Sequence, residues 1–204
     1  GQLTPARAPE PVDGGAGLLR PSILLWRGGT MADSAVVSSI EIGAVDLAME
    51  YGFPPAMGFI FTVALCVASV SGGVWVSVRN RLPPRAAVVG YLVLMSAGAA
   101  LIASHLSLAA TMVGAIVVGC VLAPLGTYYS LMLDALSPLH RKAEAFALSR
   151  TANAMGIILT SANLTFTSLA ATQAVSAVLI LIATVTVGLF SFAGLATRRK
   201  TRAD

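Results

Sequence analysis

Six hydrophobic stretches of membrane-spanning length, joined by short loops, constrain this chain more than any other feature of its sequence. They cover residues of about 30–51, 56–78, 86–104, 108–133, 144–169 and 173–196. A helix rises about 1.5 Å per residue, so each stretch is long enough to cross a hydrocarbon layer of about 30 Å. Because 56% of the residues are hydrophobic and only 11% are charged, a water-soluble domain of this size could not bury its apolar surface. The sequence therefore predicts an all-α integral membrane protein, a bundle of six transmembrane helices.

The cations fall on alternate loops, and this asymmetry predicts an orientation. Loops 50–55, 105–107 and 170–172 contain no Lys or Arg. The cations of the other side are Arg20, Arg27, Arg79, Arg81, Arg85, Arg141, Lys142, Arg198, Arg199, Lys200 and Arg202. By the positive-inside rule both termini lie in the cytoplasm, and the chain is a multi-pass protein of the plasma (inner) membrane.

Three segments follow from this reading. Residues 1–21 are rich in Pro, Gly and Ala without apolar periodicity, so we expect a flexible cytoplasmic linker. Residues 22–197 form the six-helix membrane domain, in which Arg27 to Gly29 are expected to precede the first helix proper. Residues 198–204 form a basic cytoplasmic tail.

Charge and cysteine usage bear on the partners and cofactors. The net charge of +4 lies in clusters that flank the spans without interleaved aromatic residues, which argues for the lipid bilayer as a partner and against nucleic acid. Cys66 and Cys120 lie inside apolar stretches, away from other residues at metal-ligand spacing. We therefore expect no disulfide, no metal and no cofactor.

Carboxylates inside the first span are the leading candidates for function. A charge at bilayer depth costs a few kcal/mol and persists where it faces protein or water. Glu41 and Asp46 are the deepest acids, and on one straight helix they point about 140° apart. Glu41 is either a proton carrier or cation contact, or a structural group bonded to a neighbouring helix; Asp46 has the same alternatives. Asp33 is expected at the membrane interface, paired with Arg27.

A polar stripe on the fifth span is the second candidate surface. Six residues lie within about 80° of arc on a helical wheel: Ser149, Asn153, Gly156, Thr160, Asn163 and Thr167. Arg150 adds a cation at the edge of this stripe. The stripe either packs against another helix or lines an aqueous pathway, and both readings stay open. The third and sixth spans carry few polar side chains, as helices that face lipid do.

Several segments resemble the C-terminal half of a bacterial major facilitator superfamily transporter. The residues that carry the resemblance are IEIGAVDLAMEYGFP, SGGVWVSVRNRLPPR, VLAPLGTYYSLMLDALSPLHRKAEAFALS and TRRKTR, within about residues 22–200. The resemblance implies a transporter of twelve spans in two six-helix halves. It also implies that the first, second, fourth and fifth helices of a half line the central cavity or the seam, whereas the third and sixth face lipid.

The resemblance also implies roles for the cytoplasmic loops. Gly72, Gly73, Arg79, Arg81 and Arg85 are similar to a loop that latches neighbouring helices, although the family's Asp is missing here. The segment with Arg141 and Glu144, near Arg150, is similar to a charge cluster at the cytoplasmic gate. Glu41 matches an acidic position of efflux-type members, whereas Asp46 departs from the pattern. The resemblance does not identify a substrate.

Two classes of function stay open for a single half. The first is proton-coupled efflux of a small molecule by alternating access, with Glu41, Asp46, Asn153, Thr160 and Asn163 on the proton and substrate pathway. It requires an N-terminal six-helix half, in the same or a separate chain, because the site forms where two repeats meet. The second is a non-transporting remnant or scaffold that packs with partner helices.

An enzyme is not expected. A serine protease within the membrane needs a serine and a histidine on facing helices. His105 and His140 fall at opposite membrane surfaces in the predicted topology.

Overall fold

A computed structural model describes residues 21–79, 85–136 and 142–200 of the chain. Residues 1–20 of the predicted linker, Arg81, Arg141 and residues 201–204 of the predicted tail lie outside this part. Within the described ranges all regular structure is helical.

Seven α-helices and one short 3₁₀ helix follow one another along these ranges. The helices are α1 (Pro21–Ile42), α2 (Ala44–Glu50), α3 (Phe59–Arg79), α4 (Arg85–Ala103), α5 (Leu108–Leu136), α6 (Lys142–Phe166) and α7 (Leu169–Lys200). The 3₁₀ helix, Pro55–Gly58, leads into α3. Helices α1 and α2 together cover the first predicted span, and α3 to α7 each cover one of the others.

The first span differs from the sequence prediction in two ways. α1 begins at Pro21 and runs through Arg27 to Gly29, although two adjacent glycines each cost about 1 kcal/mol in a helix. Packing outweighs this cost, since Gly29 is buried beneath the Tyr129 ring. The helix then breaks at Gly43, where a Cβ would lie 2.5 Å from Ser39 O and 2.6 Å from Leu169 Cδ1.

Three stretches are long and apolar enough to cross a membrane. They are Pro55–Val78 with 24 residues, Leu108–Asp134 with 27 and Leu169–Phe190 with 22. A fourth apolar stretch, Ala87–Ala103, is shorter. Many large hydrophobic side chains on these helices point outward, among them Val67, Val70 and Leu189. An all-helical protein with membrane-spanning helices accounts for such a surface, because lipid takes the place of a second core.

The helices pack as two groups of three. α1 packs against α6 and α7, and α5 packs against α3 and α4. Contacts of α1 with α5 and of α4 with α7 join the groups. A continuous apolar core that includes Val36, Leu92, Val118, Leu125 and Ile180 lies between them.

α3 is the most peripheral helix, whereas the sequence analysis expected α4 and α7, the third and sixth spans, to face lipid. α3 packs mainly on α5 and leaves most of its apolar stretch exposed. α4 buries Leu92 and Met95 between α5 and α7, and Thr184 of α7 hydrogen-bonds to Ser96 of α4 at 2.8 Å. α7 has an exposed apolar face, but its other face carries buried polar side chains. The sequence analysis expected few polar side chains on this span.

Candidate functional site

Glu41 lies one residue before the end of α1 and is exposed. The large apolar side chains beside it, Ile42 and Val45, are also exposed. Asp46 lies beyond the break at Gly43, in the first turn of α2, and is half-buried. Because α1 and α2 are separate helices, the angle expected for one straight helix does not apply to this pair.

The polar stripe of α6 packs against α1. The Ser34 hydroxyl hydrogen-bonds to Asn153 Oδ1, and Thr160 Oγ1 donates to the Ala35 carbonyl oxygen at 3.3 Å. Between these two contacts lies Gly156, where a Cβ would be 2.5 Å from Met31 O. The stripe therefore holds two helices together at this level, which is the first of the two readings left open by the sequence.

Asn163 lies at the far end of the same stripe, where α6 ends. Its carbonyl oxygen and its Oδ1 accept hydrogen bonds from Thr167 Oγ1 at 2.7 and 3.0 Å. Thr167 also contacts Thr172 Oγ1 at 3.2 Å, at the start of α7. These contacts fix the turn between α6 and α7, so Asn163 has a local structural role.

The candidate gating residues gather at the opposite end of the bundle. Lys142 Nζ forms an ion pair with Asp134 Oδ1 at 2.7 Å, which links the end of α5 to the start of α6. Glu144 and Arg150 are exposed on α6. Arg79 ends α3 and Arg85 begins α4. The structure thus places several of the predicted loop charges at helix ends.

A contact between a histidine and a carboxylate lies at the end whose loops lack Lys and Arg. His105 Nδ1 is 3.0 Å from Glu50 Oε1, and Tyr51 Oη is 2.6 Å from Thr111 Oγ1. His105 has a φ of 47°, in the tight turn between α4 and α5. These contacts bring the predicted loops 50–55 and 105–107 to one end of the bundle.

Asp33 is a polar residue that the sequence reading misplaced. It is 5% exposed, and its Oδ1 has no hydrogen-bond partner. The expected pair with Arg27 is not found, since the Arg27 Nε is likewise buried and unpartnered. The carboxyl lies close enough to Tyr129 of α5 for an electrostatic interaction, and the Tyr129 hydroxyl is also buried without a partner.

One signal in the sequence could have indicated this site. Gly29 lies one turn before Asp33, so both residues share one face of α1. A glycine on that face indicates close approach by another helix, and the Tyr129 Oη lies 3.2 Å from the position of a Gly29 Cβ. Nothing in the local sequence shows which helix approaches.

Comparison with protein-family models and with curated proteins gives no match. Function therefore rests on the residues and the fold themselves.

Proposed function

We propose that this chain is one six-helix half of a membrane transporter of the major facilitator type. In this proposal it exports a small molecule by alternating access, with coupling to protons. The observation that carries the proposal is an exposed carboxylate, Glu41, on a bundle whose helix contacts repeat after every third span.

The repeat is visible in the helix contacts. Suppose that each of the six spans is replaced by the span three positions later, counting on from the sixth span to the first. α1 then exchanges with α5, α3 with α6 and α4 with α7. The contacts of α1 with α6 and α7 then become those of α5 with α3 and α4, while the α1–α5 and α4–α7 contacts map onto themselves. Successive spans run in opposite directions, so an offset of three inverts the direction of a helix. Inverted repeats of three spans occur within each half of major facilitator transporters, which supports the proposal.

Close glycine contacts follow the same exchange. Gly156 lies near the middle of α6 and packs against the α1 backbone. Gly72 lies near the middle of α3 and packs against the Cys120 carbonyl of α5. In the sequence reading Gly72 belonged to a loop motif, but it is a packing residue inside a helix.

Glu41 supplies the polar group that such a pathway needs. It has no ion pair or hydrogen bond with any described residue, and the exposed side chains beside it in sequence, Ile42 and Val45, are apolar. A carboxylate cannot stay in contact with lipid tails without large cost, so a second bundle or a water-filled crevice faces it in the assembled protein. Glu41 then contacts a cationic substrate or carries a proton, and Asp46 lies in the vestibule beyond it.

A membrane scaffold is the second candidate, and one observation favours it. Asn153, Gly156 and Thr160 contact α1 and so do not line an open pathway in this conformation. A bundle that only packs with partner helices would use its polar stripe in this way.

Water access at Glu41 distinguishes the two candidates. Cys66 and Cys120 are exposed and are first replaced by alanine. A Glu41→Cys variant is then treated, in intact membranes, with a maleimide that cannot cross the bilayer. Leu181→Cys, exposed on the apolar face of α7, and Val118→Cys, fully buried, serve as controls. A water-filled crevice predicts rapid labelling at position 41 and little at 181 or 118, whereas equal protection at 41 and 181 would reject it.

Transport itself can be followed before the cargo is identified. Membrane vesicles that contain the protein and a trapped pH-sensitive dye are energised, and candidate compounds are added one at a time. Proton-coupled efflux predicts a compound-dependent pH change that Glu41→Gln abolishes and Glu50→Gln retains. Identical responses of native and Glu41→Gln vesicles to every active compound would remove Glu41 from the mechanism.

A further inference from the structure

The contact between α1 and α5 near the basic end of the bundle contains two buried polar groups without partners. Asp33 Oδ1 and Tyr129 Oη belong to residues that are 5% and 4% exposed, and neither atom has a hydrogen bond. Native structures leave few such groups, so each one indicates a special role.

The surroundings of these two groups are aromatic and apolar. The Trp26 ring lies 5.2 Å from that of Tyr128 and 6.0 Å from that of Tyr129. Val36, one turn along α1 from Asp33, is fully buried. An ionised carboxylate at a site this buried costs several kcal/mol unless a cation lies beside it.

None of the three cations whose side chains the structure describes, Arg27, Lys142 and Arg150, neutralises Asp33. Arg27, on α1, forms no ion pair with it. On α6, Lys142 is paired with Asp134, and Arg150 is exposed. Residues 169–190 of α7 contain no ionisable side chain. On α5, Tyr129 interacts electrostatically with Asp33, whereas the ring of its buried neighbour Tyr128 packs against Trp26.

The side chains of Asp33 and Tyr129 are suited to bind a proton rather than a metal cation. A metal cation needs several oxygen ligands, whereas a proton needs one oxygen to bind and one neighbour to share a hydrogen bond. Asp33 and Tyr129 offer a carboxyl and a phenol. Proton uptake forms one O–H bond on Asp33 and removes its charge; release returns the proton to water and restores the carboxylate, without electron transfer.

We propose that Asp33, hydrogen-bonded by Tyr129 when the two groups approach, is a proton-binding site of this bundle, distinct from Glu41. Its use in coupling rests on the proposed transport function, but proton binding itself does not. Glu41, which is exposed, then serves the substrate. A shift of α5 along α1 changes the access of Asp33 to water, because Gly29 leaves only a hydrogen atom between the α1 backbone and the Tyr129 hydroxyl.

Infrared spectroscopy of the full chain in lipid nanodiscs tests this site directly. Labelling with ¹³C at aspartate carboxyls separates their C=O stretch from those of glutamate and lipid esters. The sequence contains Asp13, Asp33, Asp46, Asp134 and Asp204. We expect a protonated aspartate band at low water exposure that disappears on deprotonation. It should be lost in Asp33→Asn, shift in Tyr129→Phe, and persist in the matched control Asp46→Asn.

Two results would overturn the proposal: no such band in the labelled native chain at any pH, or its persistence in Asp33→Asn. Should Asp33→Asn fail to fold, Tyr129→Phe decides, since an unshifted band contradicts a shared hydrogen bond. The measurement needs no cargo and no second half. A negative infrared result would therefore contradict the Asp33 proton site alone, whereas a negative Glu41 labelling result would contradict the proposed transport function.

Discussion

The α1–α6 and α3–α5 contacts occupy corresponding places in the two groups of helices, but different chemistry holds them together. At α3–α5 the glycines provide close packing: Gly119 lies against the Leu65 carbonyl and Ala68 Cβ, and Gly72 packs on the Cys120 carbonyl. At α1–α6, hydrogen bonds from Ser34 to Asn153 and from Thr160 to Ala35 flank Gly156.

This difference shows what sets helix pairing in a bilayer. Lipid tails are as apolar as leucine, so close packing and interhelical hydrogen bonds decide which faces meet. Glycine supplies close packing at both contacts. At α1–α6, hydrogen bonds of Ser34 and Thr160 are added, and these fix the register of one helix against the other.

The largest effect is expected from removing volume at the apolar contact. Leu65 is 2% exposed, so Leu65→Ala should lower the free energy of unfolding by about 3 kcal/mol. SDS titration of the purified protein in mixed micelles, followed by circular dichroism, measures the loss. Val67→Ala, on the exposed face of the same helix, is the control and should have little effect.

A smaller loss, about 2 kcal/mol, is expected when a methyl group is added at either glycine contact. Gly72→Ala and Gly156→Ala both place a Cβ against backbone atoms of the partner helix. Gly90→Ala and Gly126→Ala meet nothing within 4 Å and should be neutral or slightly stabilising. The same titration compares all four, and equal stability across them would mean that the two contacts are less tight than described.

Hydrogen bonding should matter only at the polar contact. A double-mutant cycle with Ser34→Ala and Asn153→Ala is expected to give a coupling energy of about 1 kcal/mol. The corresponding cycle across α3–α5, Ser71→Ala with Thr127→Ala, should give none, since each hydroxyl bonds within its own helix. A coupling energy near zero for Ser34 and Asn153 would leave packing alone to account for α1–α6.

The contact between His105 and Glu50, an ion pair when the imidazole is protonated, should contribute least. Glu50 is exposed, so solvent screens the pair, and Glu50→Gln should cost about 0.5 kcal/mol or less. Added salt should reduce the difference between the native protein and the variant. A loss as large as that of Gly156→Ala would show that the turn between α4 and α5 is essential to the bundle.

The sequence predicted the positions of the helices well, but it did not predict which helices pack against one another. Apolar runs and short loops place α3 to α7 within a few residues of the predicted spans, because hydropathy and turn residues are local signals. The polar face of α6 was also visible. Its partner was not, because a wheel shows which residues share a face but not which helix covers it.

The same limit explains the error at Asp33. Its distance from Arg27 in sequence suggested an interfacial pair, but α5 lies over this face of α1 and buries the carboxyl. The glycines at 28 and 29 wrongly suggested a helix boundary. The contact that stabilises the helix at these glycines comes from Tyr129, which is distant in sequence and therefore gives no local signal.

The pairing of α1 with α6 and α7 also orders events during synthesis. Ser34 and Asn153 are 119 residues apart, whereas α3, α4 and α5 find one another along a continuous segment. The ribosome thus completes α3–α5 while α1 still lacks α6 and α7, the two helices against which it mainly packs. Until α6 emerges, the Ser34 hydroxyl can donate to the Thr30 carbonyl of its own helix but lacks Asn153 as a partner. The polar helix α1 therefore completes its packing only after α6 and α7 have emerged, and any chain cut short before α6 leaves α1 without both of them.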